Sequence, residues 1–334
     1  MPAVDALLDD EVLQPLPTLE FQGTTAVRAR GGRAVLPWRA AWLAARAQPL
    51  DAVPDAEATP AGSFAQAVVH LQPSRAATLA DVAEAWRCLG PGGRLLLVGD
   101  NRLGIASFAR ALGQQLGRAG VVLANRGRGR IVAFTRDGHS PAAPAPHVHR
   151  VPDLAGEGEL TLRVAPGVFS HDAPDAGTTL LLELLAAYPA APRTVVDVGC
   201  GAGHLALSAL RRWPAARAVL ADGDWRAVGV ARQNAEALGL AAQTEVHWWD
   251  ASEPLPAAAA ELALLNPPWH RGAEVDLAVA RAMFRAVRQA TARGARVLVV
   301  ANRRLPYEAD LRALGELRLL RDARGFKLLE VTRD

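Results

Sequence analysis

Val195-Val196-Asp197-Val198-Gly199-Cys200-Gly201-Ala202-Gly203 decides the fold of this chain. An apolar run carries one carboxylate, then gives way to three alternating glycines ahead of a helical stretch over His204–Arg212. That is a strand feeding a glycine turn that opens a helix, the geometry in which a nucleotide-like ligand lies against bare backbone. A second stretch, Leu264-Leu265-Asn266-Pro267-Pro268-Trp269-His270, ends another apolar strand in Asn-Pro-Pro-aromatic. It sets an amide side chain and freed carbonyls beside a flat ring, at the carboxyl edge of what the pattern predicts to be the same sheet.

Around these two stretches the second half alternates regularly. Short β-rich runs at Thr194–Val198, Ala218–Ala221, Glu245–Trp248, Leu262–Leu265 and Arg296–Val300 are separated by helical stretches such as Trp225–Leu238 and Asp276–Ala292. This predicts a parallel, doubly wound sheet covered on both faces. Leu317–Leu320, a turn at Ala323-Arg324-Gly325 and Lys327–Val331 then read as an antiparallel hairpin closing it. The first half echoes this ending. Gly93–Val98, Asn101-Arg102, a helix and Thr135-Arg136-Asp137 run parallel to Gly294–Val300, Asn302-Arg303, a helix and Thr332-Arg333-Asp334, with a small gap. The first copy has no Asp-x-Gly-x-Gly, and His70-Leu71-Gln72-Pro73 falls where Asn-Pro-Pro would be. The expectation is a duplicated α/β fold, Rossmann-like in both copies. Residues 1–138 form a degenerate domain without a cofactor site, 139–152 a Pro/Ala linker, and 153–334 the catalytic domain.

Composition narrows the classes. The chain has 334 residues, half of them hydrophobic, a formal net charge of +3 and two cysteines. It is long enough for two cores, and no apolar run reaches a membrane span. Two distant cysteines suggest neither a disulfide framework nor a thiolate metal site, so no metal is expected. The first residues are acidic and lack a signal-peptide pattern, which predicts cytoplasmic residence. Nearly all the positive charge is arginine, with Lys327 the one lysine. That solitary ammonium is a candidate compact charge near RNA phosphate or a substrate loop, and Arg126-Gly127-Arg128-Gly129-Arg130 is a candidate phosphate contact.

The chemistry follows from charge and geometry. Gly201-Ala202-Gly203-His204-Leu205-Ala206 loosely fits a dinucleotide fingerprint, but its offset from the strand end is wrong and Asp197 would repel a pyrophosphate. A carboxylate there suits the ammonium of a methionine moiety. Asp222 ends the next strand, where an acid accepts ribose hydroxyls; the alternative is a helix N-cap, and the glycine turn upstream favours the ribose. Asp250 ends the third strand, where a polar side chain meets the adenine amino group. Of Trp248 and Trp249, on opposite faces, one is expected in the core and the other against adenine. An exocyclic amine is a poor nucleophile because its lone pair is delocalised into the ring. Hydrogen bonds from its N–H groups to the Asn266 amide oxygen and the Pro267 carbonyl would favour a tetrahedral nitrogen, with Trp269 as stacking face.

These motifs carry a specific resemblance. Gly167-Val168-Phe169-Ser170, Asp175-Ala176-Gly177-Thr178-Thr179-Leu180-Leu181-Leu182, Asp197–Gly203, Asn266–His270, Val300-Ala301-Asn302 with Leu305-Pro306-Tyr307, and Phe326-Lys327 stand in the order found in ribosomal RNA guanine-N2 methyltransferases of the RsmC/RlmG type. From Pro166 to the C-terminus the chain is similar to that family, and more weakly so at Val98–Arg102. Trp269, where the family has phenylalanine, and Arg271, where it has a small or acidic residue, are departures. The resemblance implies two tandem class I methyltransferase domains, each a mostly parallel seven-stranded sheet with an antiparallel terminal strand. It implies S-adenosyl-L-methionine held by Asp197, Gly199, Gly201, Gly203, Asp222, Asp250 and Thr178, and catalysis by Asn266, Pro267 and Trp269. The implied substrate is a guanine N2 in ribosomal RNA, 16S or 23S, methylated by a monomer with no membrane partner. Two other readings are methylation of a protein glutamine N5, which Asn-Pro-Pro-aromatic also serves, and a non-catalytic RNA-binding or ribosome-assembly protein on the same fold.

Overall fold

A computed structural model describes residues 2–170, 173–267 and 277–334. The chain divides into two compact units, Met1–Ala145 and Pro146–Asp334.

In the first unit α1 (Pro2–Asp5) precedes β1 (Thr18–Phe21), α2 (Thr25–Arg30), β2 (Gly32–Val35), α3 (Arg39–Arg46), β3 (Ala52–Val53) and β4 (Phe64–His70). Then follow α4 (Arg75–Cys88), β5 (Leu89–Asp100), α5 (Ile105–Gln115), β6 (Val121–Arg126) and β7 (Gly129–Thr135). The sheet order is β3-β2-β1-β4-β5-β7-β6, with β7 antiparallel to both β5 and β6. Strand β4 buries Ala67, Val68 and Val69 completely, as a strand covered on both faces must.

The second unit opens with a ribbon of β8 (His147–Pro152) and β9 (Glu159–Val164). It continues through α6 (Ala176–Ala187), β10 (Thr194–Val198), α7 (His204–Arg212), β11 (Arg217–Asp222), α8 (Trp225–Ala237), β12 (Thr244–Trp248) and β13 (Ala260–Leu265). It ends with α9 (Leu277–Ala290), β14 (Thr291–Asn302), α10 (Glu308–Arg312), β15 (Gly315–Ala323) and β16 (Phe326–Arg333). Its order, β12-β11-β10-β13-β14-β16-β15, is position for position that of the first unit. Helix α9 buries Ala280, Met283, Phe284, Val287 and Ala290, a three-and-four spacing that lays one stripe on the sheet.

The duplication extends to register. β5 and β14 have equal length and the same burial pattern, and Gly92 and Gly294, at matching positions, have φ of 75° and 76°. Arg94 pairs with Thr135 as Arg296 pairs with Thr332. Both edge strands shift register at the same place, between Val122 and Ala124 and between Leu319 and Arg321. No gap interrupts β5 and β14; it lies in the connection that follows, where Arg94 and Thr135 are 41 residues apart and Arg296 and Thr332 are 36. Asp100, not Asn101, stands where Asn302 does: Asp100 Oδ1 accepts from Arg102 N at 2.8 Å, and Asn302 Oδ1 from Arg304 N at 3.1 Å.

The stretch 139–152, expected as a linker, is taken up on both sides. The Trp86 indole donates to the His139 carbonyl at 2.9 Å, and the Ala142 N–H to Gln115 at 3.2 Å. Residues 147–152 form β8, burying His149 and Val151 in alternation. The alternation of His-Val-His-Arg-Val carried that signal, masked by the proline-rich run before it.

Candidate functional site

The site is built at the carboxyl edge of the second sheet. β10 ends at Val198, and the turn 199–203 bends back into α7 with Gly199, Gly201 and Gly203 all at positive φ, 75°, 55° and 87°. A side chain at Gly201 would meet no atom within 4 Å, so this residue faces open space. Left-handed backbone and a bare Cα let a ligand come close to this turn, whose Gly199, Cys200 and Gly203 N–H groups are bonded to the Ala221 and Cys200 carbonyls.

Two carboxyl groups brace that turn. Asp197 is 1% exposed; its Oδ2 accepts from the Ala206 N–H at 3.1 Å, while its Oδ1 is buried with no partner among the described residues. Burial pushes its pKa up to about 7, against the pull of the Ala206 N–H and with the charge of Asp222 adding to the rise. Asp222 ends β11, accepting from the Gly201 N–H at 2.8 Å and from the Asp224 N–H at 2.9 Å. The residue keeps partial exposure, yet its carboxyl is enclosed by the turn, and burial raises it to about 6 despite those donors. An unpartnered carboxylate oxygen beside exposed glycine backbone is a cradle that fits the ammonium and ribose of S-adenosyl-L-methionine.

Asp250 is partly exposed, with its Oδ1 accepting from the Ser252 N–H at 3.0 Å and from the Ser252 hydroxyl. Trp249 is the core partner of the pair, 5% exposed. Trp248 donates to the Gly223 carbonyl at 3.1 Å and meets Trp225 edge-to-face at 5.2 Å, forming an aromatic wall beside the Asp222 turn.

Asn266 follows β13 directly. Its amide nitrogen donates to Asp175 Oδ2 at 2.7 Å and to Thr178 Oγ1 at 3.0 Å. The same Asp175 caps α6 by accepting from the Thr178 N–H at 3.0 Å. Both amide hydrogens are thereby spoken for, which turns the amide oxygen the other way. The structure thus sets Thr178 against Asn266. Asp175 is the functional residue that sequence reasoning left without a role, although it lay in the quoted Asp-Ala-Gly-Thr segment. Pro267 is buried next to Asn266, while Pro268, Trp269, His270 and Arg271 lie outside the described residues.

Behind the glycine turn, His204 Nε2 and His149 Nδ1 lie 3.0 Å apart, both buried. Burial, then the neighbouring imidazole, lowers His204 to about 4, which leaves its ring neutral at pH 7. Cys200 is buried with its thiol pKa raised by burial, which leaves it inert. Lys327 is not a phosphate contact: its ammonium donates to the Leu305 carbonyl at 2.9 Å and pairs with Glu308, pinning the Leu305-Pro306-Tyr307 loop to β16. Among the described residues no cluster of three or more His, Cys, Asp or Glu could hold a metal.

The shared register shows what stands at these positions in the first unit. Glu20 corresponds to Asp197, Leu36 to Asp222 and His70 to Asn266. Glu20 is fully buried and braces a turn of three residues rather than five, accepting from the Val27 N–H at 3.0 Å. His70 Nε2 lies 2.8 Å from Glu20 Oε1, and a side chain at Gly23 would come within 2.4 Å of that ring nitrogen. Leu36 cannot accept a hydroxyl. In the same unit, Arg126 and Arg128 lie near Asp9 and Asp100, at 3.2 and 3.7 Å, on an exposed hairpin.

Known proteins share this sequence pattern and fold. Residues 159–330 match the methyltransferase small domain family. The chain is 33% identical over 290 residues to the ribosomal RNA small subunit methyltransferase C of Pseudomonas aeruginosa (strain LESB58), covering 82% of this chain and 81% of that one. Against the protein of the same name from Stutzerimonas stutzeri (strain A1501) it is 33% identical over 283 residues, covering 83% and 81%. Among solved structures, the T. thermophilus 16S rRNA N2 G1207 methyltransferase (RsmC) in complex with AdoMet and guanosine matches with a TM-score of 0.86 at 26% identity, over 99% of this chain and 92% of that chain.

Proposed function

The chain belongs to the methyltransferase small domain family, and on that premise we propose that it methylates the exocyclic N2 of a guanine in 16S ribosomal RNA, using S-adenosyl-L-methionine. One observation carries the reading: the Asn266 amide is locked by Asp175 and Thr178 with its oxygen turned away from them.

S-adenosyl-L-methionine, when bound, supplies a methyl group on a sulfonium. Asp197, Asp222 and the turn 199–203 would hold it, Asp197 serving the ammonium and Asp222 the ribose. Asn266 Oδ1 and the Pro267 carbonyl accept from the two guanine N2 hydrogens, which draws the nitrogen toward tetrahedral geometry and frees its lone pair. The cofactor would supply its methyl group to that nitrogen, and the extra proton of the methylated amine would pass to solvent. Positioning and electrostatics do this without a strong base. Trp269 is the stacking face for a base presented out of its helix.

The first unit serves another purpose than cofactor binding, because Leu36 and the His70–Glu20 pair occupy the places of the ribose acid and the amide. The protein acts as a monomer in the cytoplasm; none of its described helices is long and apolar enough to cross a membrane. The seven-stranded first unit disfavours glutamine methylation, whose enzymes pair the motif with a helical bundle. Transfer of labelled methyl from S-adenosyl-L-methionine to purified 16S ribosomal RNA tests the reading. Label in RNA supports it, and label found only in protein refutes it.

A further inference from the structure

In the first unit a groove of about 470 Å³ opens between α5 and the strands β6 and β7. Ala106, Ala109, Arg110, Gly113 and Gln114 recur along its wall at helical spacing, so one face of α5 is turned to it. Val132 of β7 is a buried part of its lining, and Val122 of β6, 53% exposed, stands at its rim.

Three guanidiniums line this groove, those of Arg110, Arg118 and Arg130, and no Asp or Glu is among its described lining residues. Helix α5 carries the first, and from Ile105 to Gln115 it holds no acid. The end of α5 places the second. Gly117 is left-handed at φ 68°, the Arg118 N–H donates to the Gly113 carbonyl at 3.0 Å, and the Gly117 N–H to the Gln114 carbonyl at 3.3 Å. That is a Schellman turn, and it fixes Arg118 at the foot of the helix. Strand alternation places the third, because Arg130 and Val132 share one face of β7.

These cations are poorly compensated. The Arg110 guanidinium has no hydrogen-bond or ion-pair partner among the described residues. Arg130 Nε donates to the neutral Asn125 side-chain oxygen at 3.4 Å. Arg118 pairs with Asp137 at 2.9 Å, but both side chains are exposed, and such a surface pair contributes little. The second unit shows the same position serving the fold instead. Arg130 corresponds to Lys327, since Gly99 pairs with Arg130 as Ala301 pairs with Lys327. Lys327 is neutralised by Glu308 of α10, a helix that also carries Asp310, whereas α5 offers Arg130 no such acid. Like charges gathered in one concavity focus a potential that an opposite charge relieves, and a guanidinium fork fits phosphate oxygens in pairs.

We propose that the groove between α5 and β7 binds the sugar–phosphate backbone of an unpaired stretch of the substrate RNA away from the target guanine, with phosphates on Arg110, Arg118 and Arg130. The proposal rests on the RNA reading above and adds a second point of contact, in the unit that carries no methyl-transfer motif. Of the Arg-Gly-Arg-Gly-Arg run, Arg130 is the member that lines the groove, while Arg126 and Arg128 lie near Asp9 and Asp100. Phosphate contacts carry no sequence information, so the groove supplies affinity and register and not sequence choice.

Full-length Arg110→Gln, Arg110→Lys and Arg28→Gln are compared with the unsubstituted protein in anisotropy titrations with single-stranded RNA over a range of salt, and in steady-state methylation of 16S ribosomal RNA. Arg28→Gln makes the same change of net charge on α2, outside the groove. Loss of one charged hydrogen bond predicts that Arg110→Gln raises Kd and KM for RNA by about 10-fold. Loss of one phosphate contact lowers the steepness of log Kd against log salt by about 0.7. Arg110→Lys keeps the charge and recovers most of that steepness, while affinity for S-adenosyl-L-methionine and melting temperature stay unchanged in all three. An unaltered salt dependence in Arg110→Gln would overturn the groove, as would an equal loss in Arg28→Gln, which marks net charge alone. A melting temperature lowered alike in both Arg110 variants marks a structural role and counts against it equally. RNA affinity within twofold of the unsubstituted protein, alongside lost binding to a ribosomal particle, would overturn it in favour of an acidic protein segment. If the unsubstituted protein methylates RNA and Arg110→Gln behaves the same, the groove fails alone. If the unsubstituted protein methylates no RNA, the reading beneath it fails.

Discussion

Asp175→Ala removes the group on which the Asn266 amide depends. The carboxylate accepts from the Asn266 amide at 2.7 Å and from the Thr178 N–H at 3.0 Å, so one substitution costs both the locked amide and the cap of α6. A hydrogen bond to a charged acceptor contributes about 1.5–3 kcal/mol. If that energy holds the amide oxygen toward the substrate, its loss lowers turnover by roughly 10- to 150-fold. The lost cap costs stability separately, about 1 kcal/mol, which lowers the melting temperature by roughly 2–4 °C in a unit of this size. Asp175→Asn keeps an acceptor and loses only charge assistance, so it should fall between Asp175→Ala and the unsubstituted protein. Thr178→Val removes one of the two amide partners and should cost less than Asp175→Ala. Single-turnover methylation of RNA, with cofactor affinity from calorimetry, separates the two effects. Asp175→Ala with unchanged turnover, at a temperature where it is folded, would refute the positioning argument.

Other outcomes follow from the same site. Asn266→Ala should lower turnover by ~10²–10³, as removal of a preorganised partner does, with cofactor affinity near that of the unsubstituted protein. Asp222→Ala should weaken S-adenosyl-L-methionine binding by about 1.5–3 kcal/mol in calorimetry, and binding should saturate at one equivalent per chain because Leu36 replaces that acid in the first unit. Asp197 and Asp222, raised to about 7 and about 6, leave the folded apoprotein holding more protons than the unfolded chain above the ordinary carboxylate range. Its stability should therefore fall as pH rises from about 4 to 7, by no more than ~1.4 kcal/mol per pH unit for each group. A cationic ligand favours the ionised forms, so cofactor affinity should rise over the same window with protons released, read as a buffer-dependent heat.

The alternating strands, the glycine turn and the closing hairpin were legible because each depends on local pattern: β10 and α7 fall where the sequence puts them. The duplication was legible too, but its register was not. Asn101-Arg102 resembles Asn302-Arg303 in letters, whereas the backbone cares only for an acceptor two residues before a turn N–H, and Asp100 supplies it. Likewise Glu20 keeps the place of Asp197 with one more methylene, a correspondence visible only once strands are paired. The bond between Asp175 and Asn266 spans 91 positions of sequence, and no spacing rule reaches that far. Lys327 misled because rarity is a property of the composition, while its role is set by the Leu305 carbonyl and Glu308 beside it.

The most direct test of the account is the identity of the methylated nucleoside. 16S ribosomal RNA incubated with the protein and S-adenosyl-L-methionine is digested to nucleosides and resolved by mass spectrometry, with Asn266→Ala run in parallel. The account predicts N2-methylguanosine, present with the unsubstituted protein and nearly absent with Asn266→Ala. Methylated adenosine or cytidine with guanosine untouched, or methyl recovered on protein glutamine, would contradict it.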